Sequence, residues 1–446
     1  MAYIDWCTDK MILNKFSFRN RNSRDRDVLL FGAATTIARA VAMLCAVIQV
    51  KCLTEYFSAE VFGLWSLTTG LMIFSSFLDF GLSLGMQNRI SSALANNDKQ
   101  QLTVVMSNGV AVLSFLAILA ILVGLVLGLT GHWVHLYGKI APGLSDLALV
   151  CFSLVLFAIV INIVCAPAVR LATAGPKNYR MPLIQCATQI ASVMLLVLAI
   201  RGGISTAVVV AITMAPLVIS PIILTVWTAS GVGVCLDSLS WVELKHIFID
   251  GLKLGVPQVC SGLFYQLPQF VTAQVFGLVA VGTLAYYLKM SSAISGVVIA
   301  GLGALWPGYA NAKALGDHTW IQSTLSKSVV MCASGGGVVL ILLVSMGSIV
   351  FRVLFGSKAI APGFLELALS GLWIMSSCLG AAVAAYYNGT GRYRDSLHAA
   401  ILNAVVLVPA VFLLIPSWGV SGALAAMLIA HAFVTLFYMV KALKGA

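Results

Sequence analysis

Three charged side chains stand where hydrocarbon would surround them. Arg39, Asp79 and Lys289 each lie inside a stretch otherwise apolar enough to cross a bilayer, as in FGLWSLTTGLMIFSSFLDFGLSLGMQNRI (62–90) around Asp79. Charges at such depth are costly, face protein or water, and mark substrate or ion pathways. An Arg guanidinium forms a fork that matches phosphate, a Lys ammonium acts as a point charge, and an Asp can titrate. Arg39 lies about 11 residues, or roughly 16 Å, from the cytoplasmic end of its stretch, and Asp79 about 8 residues, or roughly 12 Å, from the end of its own. The two stretches run antiparallel, so one hairpin could join these side chains. Two readings stay open: a pair that holds the hairpin together, or an anion-binding Arg39 that Asp79 positions or relieves by protonation. Lys289 has no acidic partner in its own stretch.

A second cluster, DGLKLGVPQVCSGLFYQLPQF (250–270), carries Pro257 and Pro268 within one helix-length run. Each proline removes a backbone hydrogen bond, frees a carbonyl and makes a candidate bending element. Gln258, Gln266 and Gln269 are polar and neutral, and would suit sugar hydroxyls if they face a cavity.

The elements that hold these residues follow from composition. Of 446 residues, 60% are hydrophobic and only 9% charged, with mean hydropathy +1.01. Hydrocarbon satisfies no backbone hydrogen bond, so a polytopic all-α membrane protein is expected, each helix needing about 20 apolar residues. Twelve spans are predicted: 28–53, 61–87, 102–130, 146–169, 183–201, 204–229, 252–278, 281–308, 327–351, 362–388, 396–416 and 419–441. Residues 1–27 form a charged N-terminal arm that is expected to be cytoplasmic and partly a surface helix; it is unlike a signal peptide. With that orientation only Lys51, Lys139, Arg201, Arg352 and Lys358 fall outside, so both termini are predicted cytoplasmic. The formal charge of +11 then reflects this bias and the anionic lipid of the inner leaflet, and gives no reason to invoke nucleic acid. The ten cysteines show no CxxC and no metal spacing, and no metal or cofactor is expected.

The chain repeats itself. LYGKIAPGLSDLAL (136–149) returns as LFGSKAIAPGFLELAL (354–369), GGISTA (202–207) as WGVSGA (418–423), and AGPKNYR (174–180) as TGRYR (390–394). Gly63, Ala93, Ala95 and Asp98 recur as Gly282, Ala312, Ala314 and Asp317. Two six-span bundles are expected, 28–229 and 252–446, joined by a cytoplasmic linker at 230–251. An even number of spans per repeat gives both the same orientation, related by a pseudo-two-fold along the membrane normal. Parallel repeats of this kind build transporters that rock about a midplane site. Lys289 has Gly70 as its counterpart, so its charge is no shared scaffold feature.

The FG-x-W, DFGL and small-residue exit of 62–98, together with NGTGRYR (388–394) and the six-plus-six layout, resemble the polysaccharide flippases of the MATE-like (MOP) superfamily, the O-antigen and capsule translocases. The resemblance implies a non-enzymatic protein of the bacterial inner membrane. It would flip undecaprenyl-diphosphate-linked oligosaccharide by alternating access, with Arg39 and Lys289 as ligands of diphosphate or acidic sugar. It also implies H+ or Na+ coupling, contacts with membrane lipids and polysaccharide-assembly proteins as partners. Many relatives carry an acid near the middle of span 7, where this chain has Gln266 and Gln269; Asp79 then becomes the candidate coupling group.

Rival readings differ in their charges. A MATE-type exporter of cationic drugs or metabolites favours acidic cavity residues, whereas the deep charges here are two cations and one acid. A peptidoglycan-precursor flippase commonly has two further spans. A membrane glycan polymerase or ligase usually carries a large outer loop, and no outer loop here exceeds about 20 residues. No GxxxxGK[ST] motif is present, so this chain carries no ATP-driven pump signature.

Overall fold

Long apolar runs closed by polar caps fold as helices throughout. The computed structural model describes residues 21–445 apart from 76, 176, 230–233, 304 and 357–358. The first twenty residues of the predicted arm lie outside the described residues; its remainder already belongs to the first helix. Thirteen α-helices follow in order: α1 (Arg21–Tyr56), α2 (Ala59–Ser75), α3 (Leu82–Ala95), α4 (Lys99–Thr130), α5 (Ser145–Ala174), α6 (Arg180–Arg201), α7 (Thr206–Ala229), α8 (Trp241–Phe276), α9 (Leu278–Gly303), α10 (Leu305–Ala314), α11 (His318–Phe355), α12 (Phe364–Gly389) and α13 (Tyr393–Gly445). No strand occurs among the described residues.

Nine helices among the described residues are long and apolar enough to cross a membrane, ten if bent α8 is one span. The difference from twelve has a physical origin at two places. Predicted span 2 is interrupted by the turn at 77–81 and so divides into α2 and α3, neither long enough alone. Spans 11 and 12 run together as α13, whose only non-helical residue is Gly419 at φ 58°. Many large side chains on these helices face outward, among them Leu122, Leu125, Val126 and Leu129 of α4. A face of that size suits lipid, not water.

The repeat read from sequence recurs as matching local geometry. Asp98 accepts from the Gln101 N–H and Asp317 from the Trp320 N–H, each at 2.9 Å, so both cap the helix that follows. Gly138 and Gly356, equivalent in the two copies of the LYG/LFG motif, take φ of 70° and 86°.

The chain divides into two compact units. The first comprises the chain up to Gln49, Thr68–Trp133 and Asp146–Val259; the second comprises Val50–Leu67, Val134–Ser145 and Cys260 onward. Within the first unit, Leu82, Met86 and Ile90 of α3 share a core with Leu102 and Val105 of α4, Leu171 of α5 and Ile247 of α8. The predicted linker is sewn onto this core. Asn108, fully buried, donates to the Ser238 carbonyl and accepts from the Ser240 N–H, both at 2.9 Å, while Ser107 accepts from the Cys235 N–H. Within the second unit, Tyr309, Tyr386, Tyr387 and Tyr438 join α10, α12 and α13 in one aromatic core.

Backbones approach closely where glycines line up. A Cβ on Gly255 would collide with the Phe80 carbonyl, and one on Gly85 would lie 2.8 Å from the Gly251 N. Gly255→Ala should therefore lower stability by about 1–3 kcal/mol, the usual cost of overpacking. Gly301→Ala, where a Cβ meets open space, should be neutral or gain up to about 1 kcal/mol. Thermal melts of the two purified variants, followed by size-exclusion fluorescence, check the contrast.

Candidate functional site

Asp79 belongs to the break, not to a helix. Residues 77–81 form a turn in which Phe80 and Gly81 both take left-handed conformations, at φ 50° and 77°. For Phe80 this is a strained choice, held by its surroundings. The Asp79 carboxylate accepts from the Gly81 N–H at 3.0 Å, and the Asp79 carbonyl accepts from the Leu82 N–H at 2.9 Å. Asp79 is 6% exposed, so this cap satisfies donors that hydrocarbon would leave unpaired. The turn rests on Gly251 and Gly255 of α8, which is why no side chain is tolerated there.

The expected Arg39–Asp79 pair does not form. Arg39 is exposed on α1 and makes no ion pair among the described residues, while a cation in electrostatic range of Asp79 is Arg170. The physical reason lies in the break: a carboxylate on a turn points along the chain toward Gly81 instead of across a helical hairpin. Arg170 donates from Nε to Ser83 Oγ at 2.9 Å and from Nη1 to Gln87 Oε1 at 3.3 Å, fastening α5 to α3. Its role was hidden in the sequence because span 4 was ended at residue 169. The signal that could have found it is the apolar run that continues through Leu171-Ala172, which carries Arg170 inside the helix.

Nearby, Arg89 grips Glu243 with Nε and Nη2, each bond 2.5 Å, and Glu243 is buried. The bidentate pair ties α3 to the first turns of α8.

In the second unit, Lys289 sits with its ammonium 4.7 Å from the centre of the Trp65 ring. The backbone sets this up. Gly282 of α9 and Gly63 of α2, equivalent in the repeat, lie against each other: a Cβ on Gly282 would be 3.3 Å from the Gly63 N, and one on Gly63 would strike the Leu278 carbonyl. One turn on, Phe62 stacks on Tyr286 with centroids 4.5 Å apart. Lys289 follows on the same face of α9, over Trp65. The ring face is the nearest group to the ammonium that attracts a cation, and no carboxylate pairs with it among the described residues.

The elements of span 7 separate. α8 bends by 43° between Trp241–Leu252 and Gly255–Phe276. Pro257 accounts for it, since its missing N–H would have bonded the carbonyl four residues back, at the bend. Pro268 lies inside the straight part of α8, where Thr272 Oγ1 donates to its carbonyl at 2.7 Å. Gln258 lies in the first unit, its Oε1 buried with no hydrogen-bond partner. Gln266 and Gln269 lie in the second and bond to each other, Nε2 of Gln269 reaching Gln266 Oε1 at 3.3 Å and the Tyr265 carbonyl at 3.1 Å. No cluster of three or more His, Cys, Asp or Glu side chains suited to a metal occurs among the described residues.

Solved structures of this architecture are numerous. The chain is similar to the lipid II flippase MurJ in an inward closed conformation, with a TM-score of 0.70, 12% identity, and 93% of this chain and 87% of that one covered. It is similar to an inward-facing multidrug resistance MATE family transporter of the MOP superfamily, with a TM-score of 0.63, 13% identity, and coverage of 92% and 98%. A third is a MOP superfamily transporter from Pyrococcus furiosus, described as having a binding pocket of reverse polarity, with a TM-score of 0.54, 17% identity, and coverage of 94% and 97%. No protein-family model and no curated protein sequence matches the chain. The protein thus has the all-α, MATE-like membrane fold shared by MOP transporters and flippases.

Two stability contrasts follow from the geometry. Asp79→Asn keeps an acceptor for the Gly81 N–H and should melt close to wild type, whereas Asp79→Ala leaves a buried donor unpaired and should cost about 1–3 kcal/mol. Arg89→Ala strands buried Glu243 and should cost about 3 kcal/mol; the double variant Arg89→Met/Glu243→Leu should recover most of it. Thermal melts in detergent resolve both pairs.

Proposed function

We propose that the protein is a flippase that carries undecaprenyl-diphosphate-linked oligosaccharide repeat units, destined for O-antigen, capsule or exopolysaccharide, across the bacterial inner membrane by alternating access. In this reading both termini are cytoplasmic and the protein performs no covalent chemistry. The observation that carries it is the division of labour among the deep charges. The acid, Asp79, is spent on capping the break beside Arg170, while Lys289 lies over a ring face with no carboxylate partner and Arg39 is exposed. Unpaired cations at membrane depth are stable when water or an anion meets them. A diphosphate is that anion, and Arg39 offers it the fork while Lys289 offers it the point charge. Gln258, with its unsatisfied amide oxygen, is a further candidate contact for a sugar hydroxyl. Gln266 and Gln269 are weaker candidates, because they spend part of their hydrogen bonding on each other.

The bend at Pro257 serves as the gating element of this cycle, and Pro268 as a secondary one. A coupling ion, H+ or Na+, completes it in this reading, with Asp79, which the break engages through one carboxylate oxygen, as its candidate site. A MATE-type exporter is the second reading, favoured by the likeness to the inward-facing MATE transporter. It predicts an acidic site for cationic cargo, which the cations described above oppose.

Deleting the gene separates the two. Loss of surface polymer with lipid-linked repeat units retained on the cytoplasmic side is the outcome expected for a flippase; unchanged glycan with altered drug tolerance would overturn it. In complementation, Arg39→Ala should abolish export while the protein remains in the membrane, and Arg39→Lys should restore part of it. Lys289→Gln should lower export about tenfold or more, the scale of a lost charge-assisted contact. Wild-type export in both variants would remove these cations from the substrate path.

A further inference from the structure

A cavity of about 140 Å³ opens within the second unit, and none of Arg39, Asp79 and Lys289 lines it. Cys260, Ser261, Phe264 and Tyr265 of α8 form one wall, and Asn403 and His431 of α13 the other. Two polar atoms on the wall from α13 have no partner. Asn403 Oδ1 is buried and accepts no hydrogen bond. The His431 ring is fixed through Nδ1, which lies 2.8 Å from Ser376 Oγ and 3.2 Å from Thr435 Oγ1, leaving Nε2 without a partner among the described residues. The ring is held edge-on against Trp373 at 5.2 Å and against Phe264 of the facing wall at 6.0 Å, and Gly380 makes room for it, since a Cβ there would lie 2.6 Å from the His431 Cε1 and 3.0 Å from its Nε2.

The chemistry of the lining selects its ligand. Among the described residues no Asp, Glu, Lys or Arg lines the cavity; its titratable groups are Cys260, Tyr265 and His431. With no carboxylate, nothing there compensates a cationic ligand. With no cation, nothing there holds a phosphate. Aromatic and apolar walls with a few placed hydrogen-bonding groups are how proteins bind small neutral polar molecules. A hydroxyl can donate to Asn403 Oδ1, and its neighbour on the same ring can bond His431 Nε2, satisfying both orphaned atoms at once.

We infer that this cavity is a subsite for a single uncharged sugar ring, with Asn403 and His431 binding adjacent hydroxyls against the face of α8 that bears Phe264. The ligand class rests on the glycan reading above; the site itself rests on its own lining. On the predicted topology Asn403 is about 7 residues, or roughly 10 Å, from the cytoplasmic end of its span, within reach of a glycan presented from that side.

The test is binding, not transport. Purified protein in lipid nanodiscs is exposed to methyl glycosides of neutral hexoses and N-acetylhexosamines, and to a methyl hexuronide, with saturation-transfer NMR as readout. At least one neutral glycoside should receive saturation, and the hexuronide should not. Asn403→Leu and His431→Phe, both close in size to the native side chains, should each reduce the signal about fivefold, the scale of one lost neutral hydrogen bond. Size-exclusion profiles report folding, and Asn403→Ala stands in where the larger variant aggregates. No signal from any neutral glycoside, meaning a cavity that holds water only, overturns the inference, as does an undiminished signal in folded variants. If glycan export persists when no sugar binds, the subsite is wrong and the flippase reading survives. If sugars bind but gene deletion leaves surface glycan unchanged, the subsite survives and the flippase reading falls.

Discussion

Hydrocarbon offers a polypeptide no hydrogen-bond partner, so every interruption of a membrane helix must find its partners inside the protein. This constraint explains the most irregular stretch of the chain. Residues 77–81 leave the helix, and the groups they free are met by the Asp79 carboxylate and by the Asp79 carbonyl. The turn can lie deep only because Gly251 and Gly255 let its backbone touch another backbone. The carboxylate, the glycines and Arg170 form one solution to one problem. The bend in α8 is a second case of the same kind: Pro257 opens the ladder beside the glycines on which the break is seated.

The same constraint divides the polar residues into two sets. Those with partners are structural: Asn108 holds the linker, Arg89 and Glu243 hold α3 to α8, and Ser421 bonds Glu366. Those without partners among the described residues include Lys289 over Trp65, Gln258 Oε1, Asn403 Oδ1 and the second ring nitrogen of His431. Burial of an unsatisfied group costs free energy that stability alone does not recover, and the second set is where function is to be sought.

How much of this could be read in advance depended on range. Long apolar runs announce themselves over 20 residues, so the helices were legible, as were the capping aspartates Asp98 and Asp317, whose signal is local. The division of span 2 was not legible: its hydropathy runs unbroken from Phe62 to Met86, and the turn is fixed by glycines far along the chain. Hydropathy marks Asp79 as anomalous, but depth along a helix does not locate a residue that lies on a turn, and the cation in range of it there is Arg170 instead of Arg39. Arg170 was missed by a span boundary placed too early. His431 and Asn403 drew no notice since each is a lone polar residue in an apolar span, and their meeting with α8 is tertiary.

The internal repeat carries a consequence for how such a protein can change. Scaffold positions exist in duplicate: Gly63 with Gly282, Asp98 with Asp317, Gly138 with Gly356. The unsatisfied polar positions do not. The register that relates Gly63 to Gly282 sets Lys289 opposite Gly70 and Arg39 opposite Gln258. Caps and close backbone contacts are thus shared by the two halves, while the deep polar residues differ between them. Single substitutions at those positions can drift without disturbing a cap or a close helix contact. A scaffold built of such duplicate supports leaves its unduplicated polar positions free to vary without loss of the fold.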